Sequence, residues 1–280
     1  MSGLVKKRFG VGSVFMYVGL VFLGILCFLP FYIMIMNATL DSATIATSVT
    51  LIPGSEFGEN YSRMMTNVPF FWSGFKNSII ISTIGTILSA YFGALTAFAF
   101  AKYKFKFKEA LFWLVLTTMM VPPQLGIIGF FDLINKIGLI NNPLAIIIPM
   151  AANANLVFFV RGYIASAVPT SVMESARIDG CGEFRMFNKI VLPMIVPSMA
   201  TMSIFTFINS WNNYLTPLII LQEQQKYTVP VMVALAKGVY RTDFGAVYTA
   251  IALSIVPILI VFGFCSKYII GGLTAGAVKE

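Results

Sequence analysis

Residues 14–36 read VFMYVGLVFLGILCFLPFYIMIM, a stretch without a single charged side chain. The hydrocarbon core of a bilayer is about 30 Å thick, which roughly 20 helical residues cross. This stretch is longer than the apolar region of a cleaved signal peptide and is predicted to remain as a membrane helix. Five further apolar runs of spanning length follow, at 77–101, 110–131, 143–160, 194–220 and 246–266. The sequence therefore predicts an all-α, polytopic membrane protein with six transmembrane helices.

The overall composition agrees with a lipid-facing chain. Hydrophobic residues make up 58% of the sequence and charged residues 11%, against about 25% charged residues in an ordinary soluble domain. The chain has no histidine, which excludes a Ser-His-Asp or Cys-His nucleophile site and a HExxH metal site. Its three cysteines show no CxxC spacing, so neither a zinc site nor a disulfide framework is expected. These absences argue against an enzyme.

The distribution of lysine and arginine predicts the orientation. If the N-terminus is cytoplasmic, 13 of the 19 basic residues fall on the cytoplasmic side and six on the outside. This bias favours both termini inside. The predicted organisation is a cytoplasmic N-terminus at 1–13, a membrane domain at 14–270 with a cytoplasmic loop at 164–193, and a cytoplasmic tail at 271–280. The longest outside segment, 37–76, is either a small cap or a docking surface.

Two runs carry features beyond hydrophobicity. Gly85, Ser89, Gly93 and Ala97 place a small residue at every fourth position, a stripe that allows another helix to approach closely. In the third run, the prolines of Val121-Pro-Pro-Gln124 remove backbone donors and predict a break in mid-membrane. Broken helices often border a substrate path, although a plain structural kink is an equal alternative.

The cytoplasmic loop has the most specific pattern. It contains Glu174-Ser-Ala176, then Gly180, then Ile190-Val-Leu-Pro193. We expect a short helix, a break at Gly180 in a positive-φ conformation, and a second short helix that ends at the proline. The spacing of Ser171 and Glu174 predicts a capping box at the start of the first helix.

This spacing resembles that of the membrane subunits of binding-protein-dependent ABC importers. Their cytoplasmic loop carries Glu-Ala-Ala, three residues, Gly, nine residues, Ile, one residue and Leu-Pro; the present chain differs only by Ser175 in place of the first alanine. The stretch 209–218, NSWNNYLTPL, and the ending 272–279, GLTAGAVK, are similar to the carbohydrate branch, the maltose-type, MalG-like permeases. The resemblance covers nearly the whole chain and implies the type I ABC importer permease fold in the cell membrane of a prokaryote.

The resemblance also implies partners. Two permease subunits, generally of different chains, pair with two cytoplasmic ATPase subunits, and an external solute-binding protein delivers the substrate. The chain itself has no GxxxxGK[ST] phosphate loop, so ATP and Mg are expected on the ATPase subunits and no cofactor in this chain. The residues that the resemblance assigns to ATPase coupling are Glu174, Ser175, Ala176, Asp179, Gly180, Ile190, Leu192 and Pro193.

Polar residues within the runs are candidates for the substrate path. Asparagine is costly in hydrocarbon unless it faces a partner or a wet cavity, and tryptophan and tyrosine offer faces on which sugars stack. Hydrogen bonding between helices and interfacial anchoring are the alternative roles. The candidates are Asn209, Trp211, Asn212, Asn213 and Tyr214, together with Gln124, Asn153 and Asn155.

The predicted function is therefore a permease subunit of an ABC importer for a sugar or oligosaccharide. One alternative is a permease of the same superfamily for another polar solute, such as a glycerol phosphate. A self-sufficient secondary transporter is a second alternative, but the six runs contain no Asp, Glu or His, which argues against proton coupling.

Overall fold

Helices account for nearly all regular structure in the protein. The structure, a computed structural model, describes residues 11–237 and 242–277, and these ranges contain no strand. The helices are α1 (Val11–Asn37), α2 (Ser42–Thr47), α3 (Phe57–Asn67), α4 (Phe71–Lys102), α5 (Lys108–Met120), α6 (Ile127–Lys136), α7 (Leu144–Ile147), α8 (Ala154–Ala167), α9 (Thr170–Ile178), α10 (Glu183–Met186), α11 (Leu192–Trp211), α12 (Leu215–Ile220), α13 (Val229–Leu235) and α14 (Phe244–Ala277).

The helices bear out the predicted set of membrane spans. Five stretches are long and apolar enough to cross a bilayer: Gly12–Asn37, Phe71–Lys102, Leu144–Ala167, Glu183–Trp211 and Phe244–Phe264. The sixth is the pair formed by α5 and α6, which are bent by 95°. The bend lies at Pro122 and Pro123, as the sequence predicts, because proline supplies no backbone donor there.

Two further spans are interrupted where an asparagine side chain bonds the backbone. In the fourth, α7 and a 3₁₀ turn at Ile148–Ala151 end before Asn153, whose side chain caps α8 by accepting from the N–H of Leu156. In the fifth, α11 ends at Trp211, nine residues before the end predicted from the apolar run. Asn213 then accepts from the N–H of Thr216, at 3.2 Å, and starts α12. Such local bonds compete with the helical ladder.

The larger compact unit comprises residues 68–234 and the chain from 254 onward. Helix α4 lies at its centre and packs against α8 and α11. The predicted stripe of small residues makes this approach possible. A Cβ added at Gly93 would lie 2.6 Å from Cδ2 of Leu156, and one added at Gly85 would collide with Sδ of Met150. The prediction of a closely packed helix pair along this stripe is confirmed.

The smaller unit comprises residues 1–67 and 235–253 as far as they are described. None of the apolar length of α1 is buried within the protein. Beyond α1, the chain is held by the fully buried Asn60, whose Nδ2 donates to the carbonyl oxygens of Ala38 and Leu40, both at 2.9 Å. Asp243, just before α14, accepts from Ser42 Oγ and from Arg63 Nε, each at 2.9 Å.

Some sequence predictions fall on residues that the structure does not describe. They are the first ten residues of the predicted N-terminal segment 1–13 and the last three of the predicted tail 271–280. The rest of that tail, through Ala277, continues α14 as helix.

Candidate functional site

The breaks of three spans border one cavity in the larger unit. Its volume is about 580 Å³, within the usual range for small-molecule sites. The residues that line it are Pro123, Gly126, Ile127, Phe130, Ile146, Pro149, Met150, Ala152, Asn153, Ala154, Asn155, Thr206, Asn209, Ser210 and Thr216. All of these side chains are uncharged, so the cavity presents only amide and hydroxyl groups among apolar surface.

Asn153 holds the walls of the cavity together. Its Nδ2 donates to Ser89 Oγ of α4 at 2.9 Å and to Thr206 Oγ1 of α11 at 3.1 Å. Its Oδ1 accepts from the N–H of Leu156 at 3.1 Å. Because both amide N–H groups are already used, Asn153 offers a ligand only the spare acceptor capacity of Oδ1.

Asn155 and Asn209 are the two lining amides that remain open for a ligand. They lie on α8 and α11 and are exposed at the cavity. Within the described residues neither side chain makes a hydrogen bond, so each retains two donors and one acceptor oxygen. Ser210 and Thr216 add hydroxyl groups to the same surface. The arrangement can form many neutral hydrogen bonds with a polyhydroxylated molecule.

Trp211 lies apart from the cavity. Its ring is 2% exposed, stacks on Phe207 and meets Phe75 edge-on, with centroid distances of 5.9 and 5.6 Å. Its Nε1 donates to the carbonyl oxygen of Ser254 at 3.1 Å. These contacts give it a packing role in the larger unit.

The remaining path candidates also lie outside the cavity lining. Asn212 follows the last residue of α11, Asn213 accepts from the N–H of Thr216 in the first turn of α12, and Tyr214 is 40% exposed. Gln124 occupies the 3₁₀ turn at Pro123–Gly126, whose neighbouring residues do line the cavity. The structure therefore brings Asn153, Asn155 and Asn209 together and leaves the other five candidates elsewhere; their role in the path stays a prediction.

The loop between α8 and α11 differs in two ways from the sequence expectation. Helix α9 begins at Thr170, with Pro169 in the cap position, so the predicted capping box of Ser171 and Glu174 does not form. The second helix does not end at Pro193. Instead α10 passes through a π-helical stretch, Phe187–Val191, directly into α11. The π-helical stretch directly before Pro193 is the kind of local adjustment that accommodates a missing N–H inside a membrane helix.

Gly180 ends α9 as predicted, with φ of 75°. The N–H of Cys181 donates to the carbonyl oxygen of Ala176 at 2.9 Å, and the N–H of Gly180 to that of Arg177 at 3.0 Å. These bonds satisfy the carbonyl groups at the end of the helix. They turn the chain sharply between α9 and α10.

The residues predicted to couple to the ATPase divide into an exposed set and a packed set. Glu174, Ser175, Asp179 and Gly180 are exposed, whereas Ala176 is buried with Met173 in the main hydrophobic core. Ile190 and Leu192 pack partly against the same core, and Pro193 is exposed on the continuous helix.

Two exposed apolar side chains near these residues were not predicted from the sequence as part of the site. Ile178 is 86% exposed and Phe184 is 66% exposed. We call the surface formed by Glu174, Ser175, Ile178, Asp179 and Phe184 the loop patch. Large exposed apolar groups rimmed by polar ones mark interaction sites. The spacing of three apolar residues could have indicated the exposure of Ile178. Met173, Ala176 and Ile178 cannot all lie on the buried face of one short helix.

A three-residue cluster fixes the loop against the end of α4. Arg177 Nε donates to Glu183 Oε1 at 2.8 Å across the Gly180 turn, and the hydroxyl of Tyr103 also donates to Glu183. The Arg177 guanidinium lies 5.9 Å from the centroid of the Tyr103 ring. Burial, and then the bond to the Glu183 carboxylate, raises the pKa of Tyr103 to about 12. Tyr103 thus remains a donor throughout the neutral range.

Comparison with protein families matches residues 89–273 to the family described as "Binding-protein-dependent transport system inner membrane component". The chain belongs to this family. The matched range contains both the cavity and the loop patch. The resemblance seen in the spacing from Glu174 to Pro193 is therefore confirmed: the protein is a permease subunit of an ABC importer, a multi-pass protein of the inner membrane and a transport subunit rather than an enzyme.

Relatives cover the permease along its full length. It is 34% identical to the arabinooligosaccharides transport system permease protein AraQ of Halalkalibacterium halodurans, over 98% of this chain and 99% of that one. It is 31% identical to the melibiose/raffinose/stachyose import permease protein MelC of Bacillus subtilis, over 90% and 91%. It is also 31% identical to the lactose transport system permease protein LacG of Rhizobium radiobacter, over 89% and 90%.

A solved structure has the same fold. A chain from the crystal structure of a bacterial ABC transporter involved in the import of the acidic polysaccharide alginate aligns with a TM-score of 0.78, over 95% of the permease and 99% of that chain. The sequence identity is 23%, so this likeness concerns the fold alone.

Proposed function

We propose that the permease imports an uncharged sugar or oligosaccharide through the cavity bordered by the span breaks. The observation that carries this proposal is the set of free amide groups of Asn155 and Asn209 in a cavity without charged side chains. The hydroxyl groups of a neutral polyol can both donate hydrogen bonds to such amides and accept hydrogen bonds from them. An anion without a cationic partner is strongly disfavoured in an apolar site. The relatives that transport oligosaccharides support the same substrate class.

The loop patch is the surface through which a separate ATPase moves the permease. Its apolar groups, Ile178 and Phe184, are exposed beside the carboxylates of Glu174 and Asp179. An apolar centre with a charged rim is typical of a protein interface. The packed residues Ala176, Ile190 and Leu192 connect this patch to the core of α4 and α8, so that force on the patch reaches the helices bordering the cavity.

The charge bias supports an orientation with both termini and the loop patch in the cytoplasm. In this arrangement segment 1–13 and tail 271–280 lie inside, and 14–270 forms the membrane domain. The complete importer then contains this chain, a second permease of different sequence, two ATPase subunits that bind ATP and Mg, and an external binding protein. Shifting the permease from a 1:99 to a 99:1 ratio of its two open states requires about 5.5 kcal/mol of differential stabilisation, which ATP binding and hydrolysis can supply.

A transport assay on the complete importer in proteoliposomes tests this function. With ATP inside, we expect accumulation of a radiolabelled arabino- or galacto-oligosaccharide against its gradient, unaffected by excess glycerol 3-phosphate. Competition by glycerol 3-phosphate would instead favour the phosphorylated solute. Accumulation driven by an ion gradient in the permease alone would favour a secondary transporter.

A further inference from the structure

An uncharged, apolar loop follows the first membrane helix. No charged residue occurs between Asp41 and Glu56. Within this stretch Val49, Leu51 and Ile52 are 78%, 50% and 73% exposed. We call residues 48–54 the apolar tip. Three large apolar side chains exposed together require a cover that the described residues do not supply.

The apolar tip ends near the end of α1. The N–H of Gly54 donates to Thr39 Oγ1 at 2.8 Å, and the N–H of Glu56 donates to the carbonyl oxygen of Thr39 at 2.9 Å. A Cβ added at Gly54 would lie only 2.5 Å from that carbonyl oxygen, so glycine permits this approach. The loop therefore returns to a point just beyond Asn37, the last residue of α1.

Within the apolar tip, the chain also contacts α1 itself. The hydroxyl of Tyr32 donates to the carbonyl oxygen of Leu51 at 2.7 Å. Tyr32 precedes the end of α1 by five residues, which corresponds to about 7.5 Å along the helix axis. The tip thus lies beside the membrane helix, on the membrane side of the helix end.

The position of Tyr32 near the end of α1 points to the lipid headgroup region. α1 is uncharged from residue 14 to its end and none of its spanning length is buried. Tyrosine near the end of a membrane helix typically sits at the headgroup level. Apolar groups of membrane-surface segments enter the bilayer by about 5–10 Å, which is comparable with the offset of about 7.5 Å between Tyr32 and the end of α1 along the helix axis.

The backbone of the tip is suited to this position. Tyr32 satisfies the carbonyl oxygen of Leu51, and Pro53 has no N–H to satisfy. Unpaired backbone groups are costly near hydrocarbon, so both features lower the cost of insertion.

We propose that Val49, Leu51 and Ile52 insert into the lipid at the boundary between headgroups and acyl chains, and that Tyr32 holds them there. The occupant of this surface is thus lipid, continuous with the lipid around α1, rather than the binding protein or the second permease. The assignment of this site to the outer leaflet rests on the proposed orientation. The insertion itself does not depend on the orientation.

Site-specific fluorescence in the assembled importer tests this inference. Cys27, Cys181 and Cys265 are first replaced by serine. Ile52→Cys, and separately Ser62→Cys on the exposed face of α3 as the matched control, then carry an environment-sensitive dye. The importer is reconstituted in nanodiscs whose lipids bear a nitroxide near the headgroup. We expect blue-shifted emission and quenching by the nitroxide at Ile52→Cys, and neither at Ser62→Cys.

The other outcomes would overturn the proposal. Blue-shifted emission without quenching would show contact with the second permease, and a shift only after addition of the binding protein would show docking of that protein. Emission typical of water at Ile52→Cys would show a solvated loop. The additional change Tyr32→Phe is expected to lower the quenching, because the tip loses its tether; unchanged quenching would refute the tethering role.

Discussion

Ile178 carries a large exposed apolar surface on the loop patch. Ile178→Ser should leave the permease folded, since exposed substitutions usually change the free energy of unfolding by less than about 0.5 kcal/mol. We expect it to weaken the association with the ATPase subunits by about 1–2 kcal/mol, roughly five- to thirtyfold. Retention of the ATPase on the immobilised permease measures this effect.

The matched control for Ile178→Ser is Ile137→Ser, at the end of α6, where the isoleucine is 55% exposed. It should leave ATPase retention unchanged. Equal retention by both variants would exclude Ile178 from the contact.

Tyr103 supplies a hydroxyl that bonds the Glu183 carboxylate. Tyr103→Phe removes it and should lower the melting temperature of the purified permease at pH 8. Because the pKa of Tyr103 is raised from 10.0 to about 12, this contribution is fully present below about pH 10 and is lost as the pH rises to about 12. The difference in melting temperature between wild type and Tyr103→Phe should therefore shrink between pH 10 and 12, and a constant difference would contradict the role of the hydroxyl.

At the scale of elements, the turn between α9 and α10 depends on the backbone of Gly180. Its φ is 75° and nothing lies within 4 Å of an added Cβ, so Gly180→Ala tests conformation alone. We expect a cost of about 1–2 kcal/mol, seen as weaker ATPase retention and a lower melting temperature. The neighbouring change Gly182→Ala, at φ of −67° and also in open space, should cost less than Gly180→Ala, because this backbone conformation is open to any residue. A similar loss in both variants would show that the turn tolerates a side chain.

The sequence predicts the elements best where hydrophobicity, a proline or a glycine decides them locally. The apolar runs locate the spans, Pro122 and Pro123 locate the bend, and Gly180 locates the end of α9. The early end of α11 at Trp211 depends on the bond that the Asn213 side chain makes to the backbone of Thr216. Hydrophobic periodicity does not encode such a local bond. The continuous helix through Pro193 depends likewise on tertiary packing of Val191 and Ile195 in the core.

The candidate site is less predictable than the spans, because each of its residue types can either line a substrate path or make contacts between helices. Asn153 and Asn155 are both costly to leave unpaired in hydrocarbon, and the single N–H of Trp211 also calls for a partner. Only the three-dimensional contacts show that Asn153 links three helices, that Trp211 packs against Phe75 and Phe207, and that Asn155 is free.

At the scale of the whole molecule, the cavity and the loop patch occupy different parts of the larger unit and should be separable by mutation. From the proposed role of the cavity, we expect Asn155→Ala or Asn209→Ala to remove hydrogen bonds worth about 0.5–1.5 kcal/mol to the transported solute. Transport kcat/KM should therefore fall by up to about tenfold, while ATPase retention stays at the wild-type level because the loop patch is intact. Asn135→Ala, an exposed amide of α6 outside the cavity lining, is the control and should change neither quantity. Ile178→Ser should instead lower ATPase retention, and transport with it. A fall in ATPase retention for Asn209→Ala would therefore show that the amide supports the fold rather than the solute.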